Sequence, residues 1–203
     1  MNSPIGNELI TAIVLSGGEA RRMGGGEKGV LPFAGRPMIS YVIATLESLD
    51  DTIETILINT NDPGCYEQFK QRTLSDNLTE NIGPLAGVEA GLVNIESGYL
   101  LVVPCDAPLV SSEPIVRLIN AVSSTDANCA VVHDGDRMQT TFAIFHVNQR
   151  SALQAYLKRG GRRLMTWYKE QNAVEVDCSD LNNVFVNINT QKDLASAEAL
   201  FLE

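Results

Sequence analysis

The chain lacks a cysteine pair close enough to share a metal: Cys65, Cys105, Cys129 and Cys178 stand 24 to 49 residues apart. That spacing excludes a C-x-x-C zinc ribbon or redox motif and reads as four reduced, mostly buried thiols. Long hydrophobic runs are also missing. Stretches such as Ile10 to Leu15 are far short of the ~20 residues a spanning helix needs. The first eight residues, Met1 to Glu8, carry no basic segment, so a cytoplasmic protein is expected. There is no basic excess: the net charge of −10 argues against general nucleic-acid binding, which needs cations to displace phosphate counterions. The two histidines, His133 and His146, lie in apolar strand-like contexts with no neighbouring nucleophile. A hydrolytic triad therefore has no support. With no Pro/Gly/Ser-rich linker, low-complexity tract or repeat, residues 1–203 read as one domain.

What is present is the composition of an ordinary globular chain: 203 residues, 44% apolar, 20% charged and a mean hydropathy of +0.00. Such a chain buries roughly 70% of its unfolded surface and needs no disulfides. Its charge is uneven. Residues 1–36 hold Arg21, Arg22, Lys28 and Arg36 against three acids, a net +1 that leaves −11 on the rest. A cationic spot on an acidic protein suits a small anionic ligand.

Strand-like apolar runs alternate with amphipathic stretches, the pattern of βαβ units around a mostly parallel sheet. Strands are predicted at 9–15, 53–59, 99–103, 129–133 and 141–146, and helices at 37–49, 63–72, 84–95 and 113–122. Beyond Asn148 come helices to about 158 and from 162 to 171, short strands at 174–176 and 184–187, and a closing helix capped within Asn189 to Asp193. An open parallel sheet binds ligands at the carboxyl ends of its strands.

Four segments carry candidate chemistry. The first strand runs into Ser16-Gly17-Gly18 and on through Arg21-Arg22 to Gly24-Gly25-Gly26-Glu27-Lys28-Gly29, where glycine backbone and cations suit a polyphosphate. The alternative is a mobile turn with solvated cations. A Walker A loop is excluded because Gly29, not Ser or Thr, follows Lys28, and the spacing after Gly17-Gly18 fails the G-x-G-x-x-G pattern. In Pro104-Cys105-Asp106-Ala107-Pro108, a strand-end aspartate would either join Mg²⁺ to a nucleotide's phosphates or cap the next turn. Small residues from Gly83 to Gly91 would admit either a flat base or a neighbouring strand. Lys158-Arg159-Gly160-Gly161-Arg162-Arg163 would dock a second anionic group or form a solvated turn.

Together these segments resemble the molybdenum cofactor guanylyltransferases. The resemblance covers nearly the whole chain and is carried by Leu15-Ser16-Gly17-Gly18, Arg21-Arg22-Met23-Gly24-Gly25, Lys28-Gly29, Gly83-Pro84-Leu85-Ala86-Gly87, Pro104 to Pro108, Gly161-Arg162-Arg163-Leu164 and Phe185 to Thr190. It implies a three-layer, Rossmann-like nucleotidyltransferase fold with a nucleotide-binding half at about 8–110 and an acceptor half at about 128–203. It further implies GMP transfer from GTP to the terminal phosphate of molybdopterin, with release of pyrophosphate. By position, Leu15, Ser16, Gly17, Gly18 and Gly83 would meet the nucleotide, and Lys28, assisted by Arg21 and Arg22, its phosphates. Asn59 and Asp76 would line the base and ribose, and Asp106 would bind Mg²⁺. Arg162, Arg163, Asn187 and Asn189 would face the pterin acceptor. Contact with molybdopterin-synthesis proteins or apo-molybdoenzymes is implied too. Ser16 and Glu27 depart from the family's usual alanine and aspartate, and Gln139-Thr140 lacks its usual proline. Cytidylyl transfer to the same cofactor, nucleotidyl transfer to a sugar phosphate and non-catalytic nucleotide binding are the competing readings.

Overall fold

The computed structural model describes residues 8–17, 25–78, 82–125, 127–181 and 183–202. Nine strands are present among them: β1 (Ile10–Leu15), β2 (Pro32–Phe33), β3 (Arg36–Pro37), β4 (Ile53–Asn59), β5 (Arg72–Leu74), β6 (Tyr99–Pro104), β7 (Cys129–His133), β8 (Met138–His146) and β9 (Val174–Asp177). The helices are α1 (Met38–Glu47), α2 (Pro84–Asn94), α3 (Ser112–Thr125), α4 (Gln149–Lys158), α5 (Leu164–Glu170) and α6 (Gln191–Phe201). Seven strands form one sheet in the order β5-β4-β1-β6-β8-β7-β9, and β2 and β3 form a separate hairpin. Only β8 runs against the others; β5, β4, β1 and β6 are mutually parallel.

The apolar runs are continuous rather than alternating because both faces of the sheet are covered. Ala12, Val14, Leu101 and Val103 pack to one side with Ile39, Val42 and Leu46 of α1 and Ile115, Leu118 and Val122 of α3. Their neighbours Ile13, Leu100 and Val102 pack to the other with Leu85, Val88 and Leu92 of α2, Leu153 of α4 and Trp167 of α5. These are three layers, as expected. A satellite cluster of Phe33, Met38, Ile188 and Ala197 fixes α6 beside the hairpin. No helix among the described residues is long and apolar enough to cross a membrane.

Two predicted elements are different. Residues 63–72 were expected to be helical, but Pro63–Tyr66 make a single 3-10 turn and the chain then enters the edge strand β5. The three-residue spacing of Tyr66 and Phe69 is met by a following turn, the Phe69 amide donating to the Tyr66 carbonyl at 3.0 Å, and their rings lie tilted with centroids 6.2 Å apart. Residues 184–187 were expected to be a strand, yet they join no ladder. Phe185 and Ile188 are the buried positions, a three-residue spacing, and the Ile188 amide donates to the Asp106 carbonyl at 2.9 Å. That bond brings the segment onto the end of β6.

After β1 the chain pairs β4 on one side, and β6 later returns to pair β1 on the other. The connection reverses direction across the sheet here, and such a switch point is where a ligand crevice forms beyond the carboxyl ends of the strands, here β1, β4 and β6. Ser16, Asn59 and Asp106 stand at those ends.

Candidate functional site

The exit from β1 is stitched on both sides: the Ser16 amide donates to the Asn59 carbonyl at 2.8 Å, and the Cys105 amide to the Leu15 carbonyl at 3.1 Å. Leu15, Ser16 and Gly17 are thereby held against Asn59 and the Cys105-Asp106 turn. Gly18, Arg21 and Arg22 lie outside the described residues. The loop returns through Gly25 and Gly26, both at positive φ, to a 3-10 turn at Lys28–Val30. Gly29 fixes this turn sterically, since a Cβ there would lie 2.9 Å from both the Ser16 and Tyr66 hydroxyl oxygens and 3.3 Å from Cys105 Cβ. The residue that excluded a Walker A loop is thus the one that lets Lys28 sit over the crevice. Glu27 anchors the same turn by accepting from the Tyr66 hydroxyl at 3.1 Å and the Thr60 hydroxyl at 3.4 Å. Burial raises the Tyr66 phenol and pushes the Cys105 thiol up to about 12, so both stay protonated. Neither Glu27's role nor Tyr66's was visible in the sequence beyond the family position of the acid.

Lys28 Nζ forms an ion pair with Asp106 Oδ2 and donates to Asn189 Oδ1 at 2.6 Å. The two charged side chains are only 13% and 16% exposed. Lys28 and Asn189, assigned by resemblance to the nucleotide phosphates and the acceptor, therefore meet the strand-end aspartate at one point. Asn189 is itself secured: its amide donates to Asp193 Oδ2 at 3.0 Å, and the Asp193 amide donates back to Thr190 Oγ1 at 3.1 Å. Thr190 is the N-cap of α6, in the segment where the sequence led us to expect one, and the Asp193 side chain closes it in the manner of a capping box. Hydrogen bonds from the Asn189 amide and then from Thr190 hold the Asp193 carboxyl below its usual range.

On the far side of β1, Asn59 Nδ2 donates to Asp76 Oδ1 at 2.9 Å and Asn61 Nδ2 to Asp76 Oδ2 at 3.0 Å. The structure thus joins Asn59 to Asp76, the two residues assigned by resemblance to the base and ribose side, and adds Asn61. Gly87 lets α2 close onto this group: a Cβ there would lie 2.2 Å from Asn59 Oδ1 and 2.5 Å from Leu15 Cδ2. Gly91 similarly admits Leu100 and Ile13, so the small-residue stripe of α2 serves strand packing. Gly83 caps α2 at a φ of 67°, and a Cβ there would meet no atom of the described residues within 4 Å.

A cavity of about 830 Å³ opens beside β8 and the 183–189 segment, lined by residues that include Asp134, Arg137, Gln139, Met165, Asn187 and Asn189. The Asn187 Oδ1 atom is buried there without a hydrogen-bond partner among the described residues. Gln139, 5% exposed, donates to Asp134 Oδ2 at 2.5 Å. Burial of Asp134 opposes ionisation, but donation from the Arg137 amide, Gln139 and the Asp136 amide outweighs it and holds the carboxyl below its usual range. The structure places Asn187 and Asn189 here, but not Arg162 and Arg163. Arg162 donates to the Leu157 and Gly161 carbonyls at 3.0 and 2.8 Å, closing the end of α4, and the Arg163 carbonyl accepts from the Tyr156 hydroxyl at 2.9 Å. Arg137 is the cation lining the cavity. The sequence offered no signal for it, since an isolated arginine in a hairpin turn resembles any solvated one.

Among the described residues no group of three His, Cys, Asp or Glu side chains gathers as a metal site. A cation at the crevice would have one protein carboxylate, Asp106, whose Oδ1 has no partner among the described residues. That donor set fits a magnesium ion completing its shell with water and phosphate oxygens rather than a resident structural metal.

The family model of the MobA-like NTP transferase domain matches residues 12–174. A molybdenum cofactor guanylyltransferase of Vibrio campbellii is 40% identical over 184 residues, covering 90% of this chain and 92% of that protein. One from Shewanella halifaxensis is 37% identical over 182 residues, covering 89% and 90%. The crystal structure of molybdopterin-guanine dinucleotide biosynthesis protein A from Archaeoglobus fulgidus superposes with a TM-score of 0.77 at 23% identity, over 96% of this chain and 99% of that one. With the crevice, the strand-end aspartate and the lysine turn in place, the chain is a nucleotidyltransferase and belongs to the MobA-like NTP transferase family.

Proposed function

We propose that this protein transfers GMP from GTP to the terminal phosphate of molybdopterin, forming a guanine dinucleotide and releasing pyrophosphate. The observation that carries the reading is the meeting of Lys28, Asp106 and Asn189 between the nucleotide crevice and the acceptor cavity. A phosphoryl donor and a phosphate acceptor must come together at such a point. The relatives' name supports the choice of substrates.

The acceptor phosphate oxygen attacks the α-phosphorus of GTP, and the bond from that phosphorus to the β-phosphate oxygen breaks. An ionised phosphate needs no general base. Catalysis falls to alignment and charge neutralisation. Lys28 offers an ammonium to the departing pyrophosphate, with Arg21 and Arg22 as further cations of the same loop. Leu15, Ser16, Gly17 and Gly18 present backbone to the nucleotide, and Gly83 opens the start of α2 beside it. Asp106 is the residue that would hold Mg²⁺, which when bound would neutralise charge on the substrate phosphates. Asp76 is fixed by Asn59 and Asn61 as a pure acceptor, a match for the two adjacent N–H donors on guanine's edge and a poor one for cytosine, which has an acceptor nitrogen there. Asn187, Asn189 and Arg137 face the acceptor. A cytoplasmic reaction, with delivery to molybdopterin-synthesis proteins or apo-molybdoenzymes, completes the reading; four free thiols accord with a reducing compartment.

The test is pyrophosphate release by purified protein with Mg²⁺ and molybdopterin, comparing GTP, CTP, ATP and UTP. Release that needs molybdopterin and prefers GTP is expected. Preference for CTP would assign cytidylyl transfer instead, and release only with a sugar phosphate would replace the acceptor.

A further inference from the structure

Asn189 lines the acceptor cavity, yet its carboxamide oxygen accepts from Lys28 Nζ at 2.6 Å across 161 positions of chain. We infer that Asn189 is a positioning residue for the donor-side cation. A lysine carries a compact ammonium on a flexible four-carbon stem, and ordering that stem costs rotamer entropy whenever a phosphate must be met. Here the cost is met in advance. Of the three Nζ donors, one goes to Asp106 and one to Asn189, which leaves the third N–H in a set direction for a phosphate oxygen.

The anchor is rigid because its backbone is tied at two places. The Ile188 amide binds the Asp106 carbonyl, and the Asn189 amide binds the Asp193 carboxylate of the capping box. Asn189 cannot drift from Asp106 without breaking one of these bonds. A molecule entering the cavity touches the same carboxamide that orients Lys28, so donor and acceptor share one residue. This inference rests on the reading that Lys28 meets the donor's phosphates.

The experiment is a double-mutant cycle read by equilibrium binding, with inorganic pyrophosphate as probe and no acceptor present. Wild type, Asn189→Ala, Lys28→Gln and the double variant are compared by calorimetry. Asn189→Ala is expected to weaken pyrophosphate about 3- to 10-fold in the wild-type background, the scale of one immobilised side chain. In the Lys28→Gln background it is expected to change binding by less than about 1.5-fold, because a residue acting through another loses its effect when that partner is gone. Equal factors in both backgrounds would mean that Asn189 acts on its own contact or on the fold, and would overturn the inference. No effect in either background, or no binding by wild type, would overturn it as well. The cycle is repeated with GTP. Coupling seen with pyrophosphate but no affinity for GTP would reject the proposed donor and leave the positioning role standing.

Discussion

Lys28 and Asp106, 78 residues apart, form an ion pair at the carboxyl ends of the central strands. The pair lies where the proposed reaction brings phosphates together, the lysine as a cation and the aspartate as the carboxylate that would hold a divalent ion. Asp106→Ala is expected to preserve the fold, since only one ion pair is lost, and to lower turnover by at least ~10²-fold, the scale of removing one preorganised electrostatic group. Lys28→Ala is expected to weaken GTP binding and slow transfer together. Initial rates and GTP titrations of both variants check this; a folded Asp106→Ala enzyme with near-normal turnover would remove the aspartate from the mechanism.

Gly87 tests how α2 serves the nucleotide crevice. Alanine favours a helix interior over glycine by about 1 kcal/mol, so on propensity alone Gly87→Ala would stabilise. The new Cβ would instead lie 2.2 Å from Asn59 Oδ1 and 2.5 Å from Leu15 Cδ2, and Asn59 is 4% exposed and held by Leu74 and Asp76. Overpacking of this kind costs about 1–3 kcal/mol. The expected outcome is a lower Tm and weaker GTP binding, because the displaced Asn59 takes Asp76 with it. A variant with raised Tm and unchanged GTP affinity would show that the group yields without cost.

The sheet was legible because its strands are covered on both faces. Ala12-Ile13-Val14 and Leu100-Leu101-Val102-Val103 read as unbroken apolar runs, and helix faces such as Ile39, Val42 and Leu46 repeat every three to four residues. Residues 184–187 were misread because Val184-Phe185-Val186 mimics a strand, whereas the binding force on that segment is burial of Phe185 and Ile188 plus one hydrogen bond to Asp106. The motifs around Lys28, Asp106 and Asn189 were each visible; their meeting was not, since contacts 78 and 161 positions apart leave no spacing pattern. Gly29 showed only as a missing Ser or Thr, its reason being atoms of Ser16 and Tyr66 that are distant in the chain.

The two arginine sites stand apart, and the proposed acceptor site predicts different outcomes for each. Arg162 donates to two carbonyls at the end of α4, where a cation also suits the helix dipole, while Arg137 lines the cavity. Arg162→Ala is expected to lose about 1 kcal/mol of stability, the worth of such hydrogen bonds, with the KM for molybdopterin unchanged. Arg137→Ala is expected to raise that KM roughly tenfold, the scale of one charge-assisted contact, without altering GTP affinity. Steady-state kinetics against molybdopterin decide the matter, and a raised KM in Arg162→Ala alone would return the acceptor site to the Gly161-Arg162-Arg163 turn.

The capping box that secures Asn189 carries a pH signature. Donation from the Asn189 amide, then from Thr190, holds the Asp193 carboxyl below the usual carboxylate range. A carboxyl depressed in the folded state contributes stability that is complete above its unfolded value, near ~4, and is lost as pH falls through the lower folded value. Asp193→Ala is therefore expected to be less stable than wild type at pH 7, with the gap narrowing below pH ~4. Urea unfolding of the two proteins at both ends of that window measures it. A gap of the same size at both ends would mean that the carboxylate's charge plays no part and that the box holds Asn189 through neutral hydrogen bonds alone.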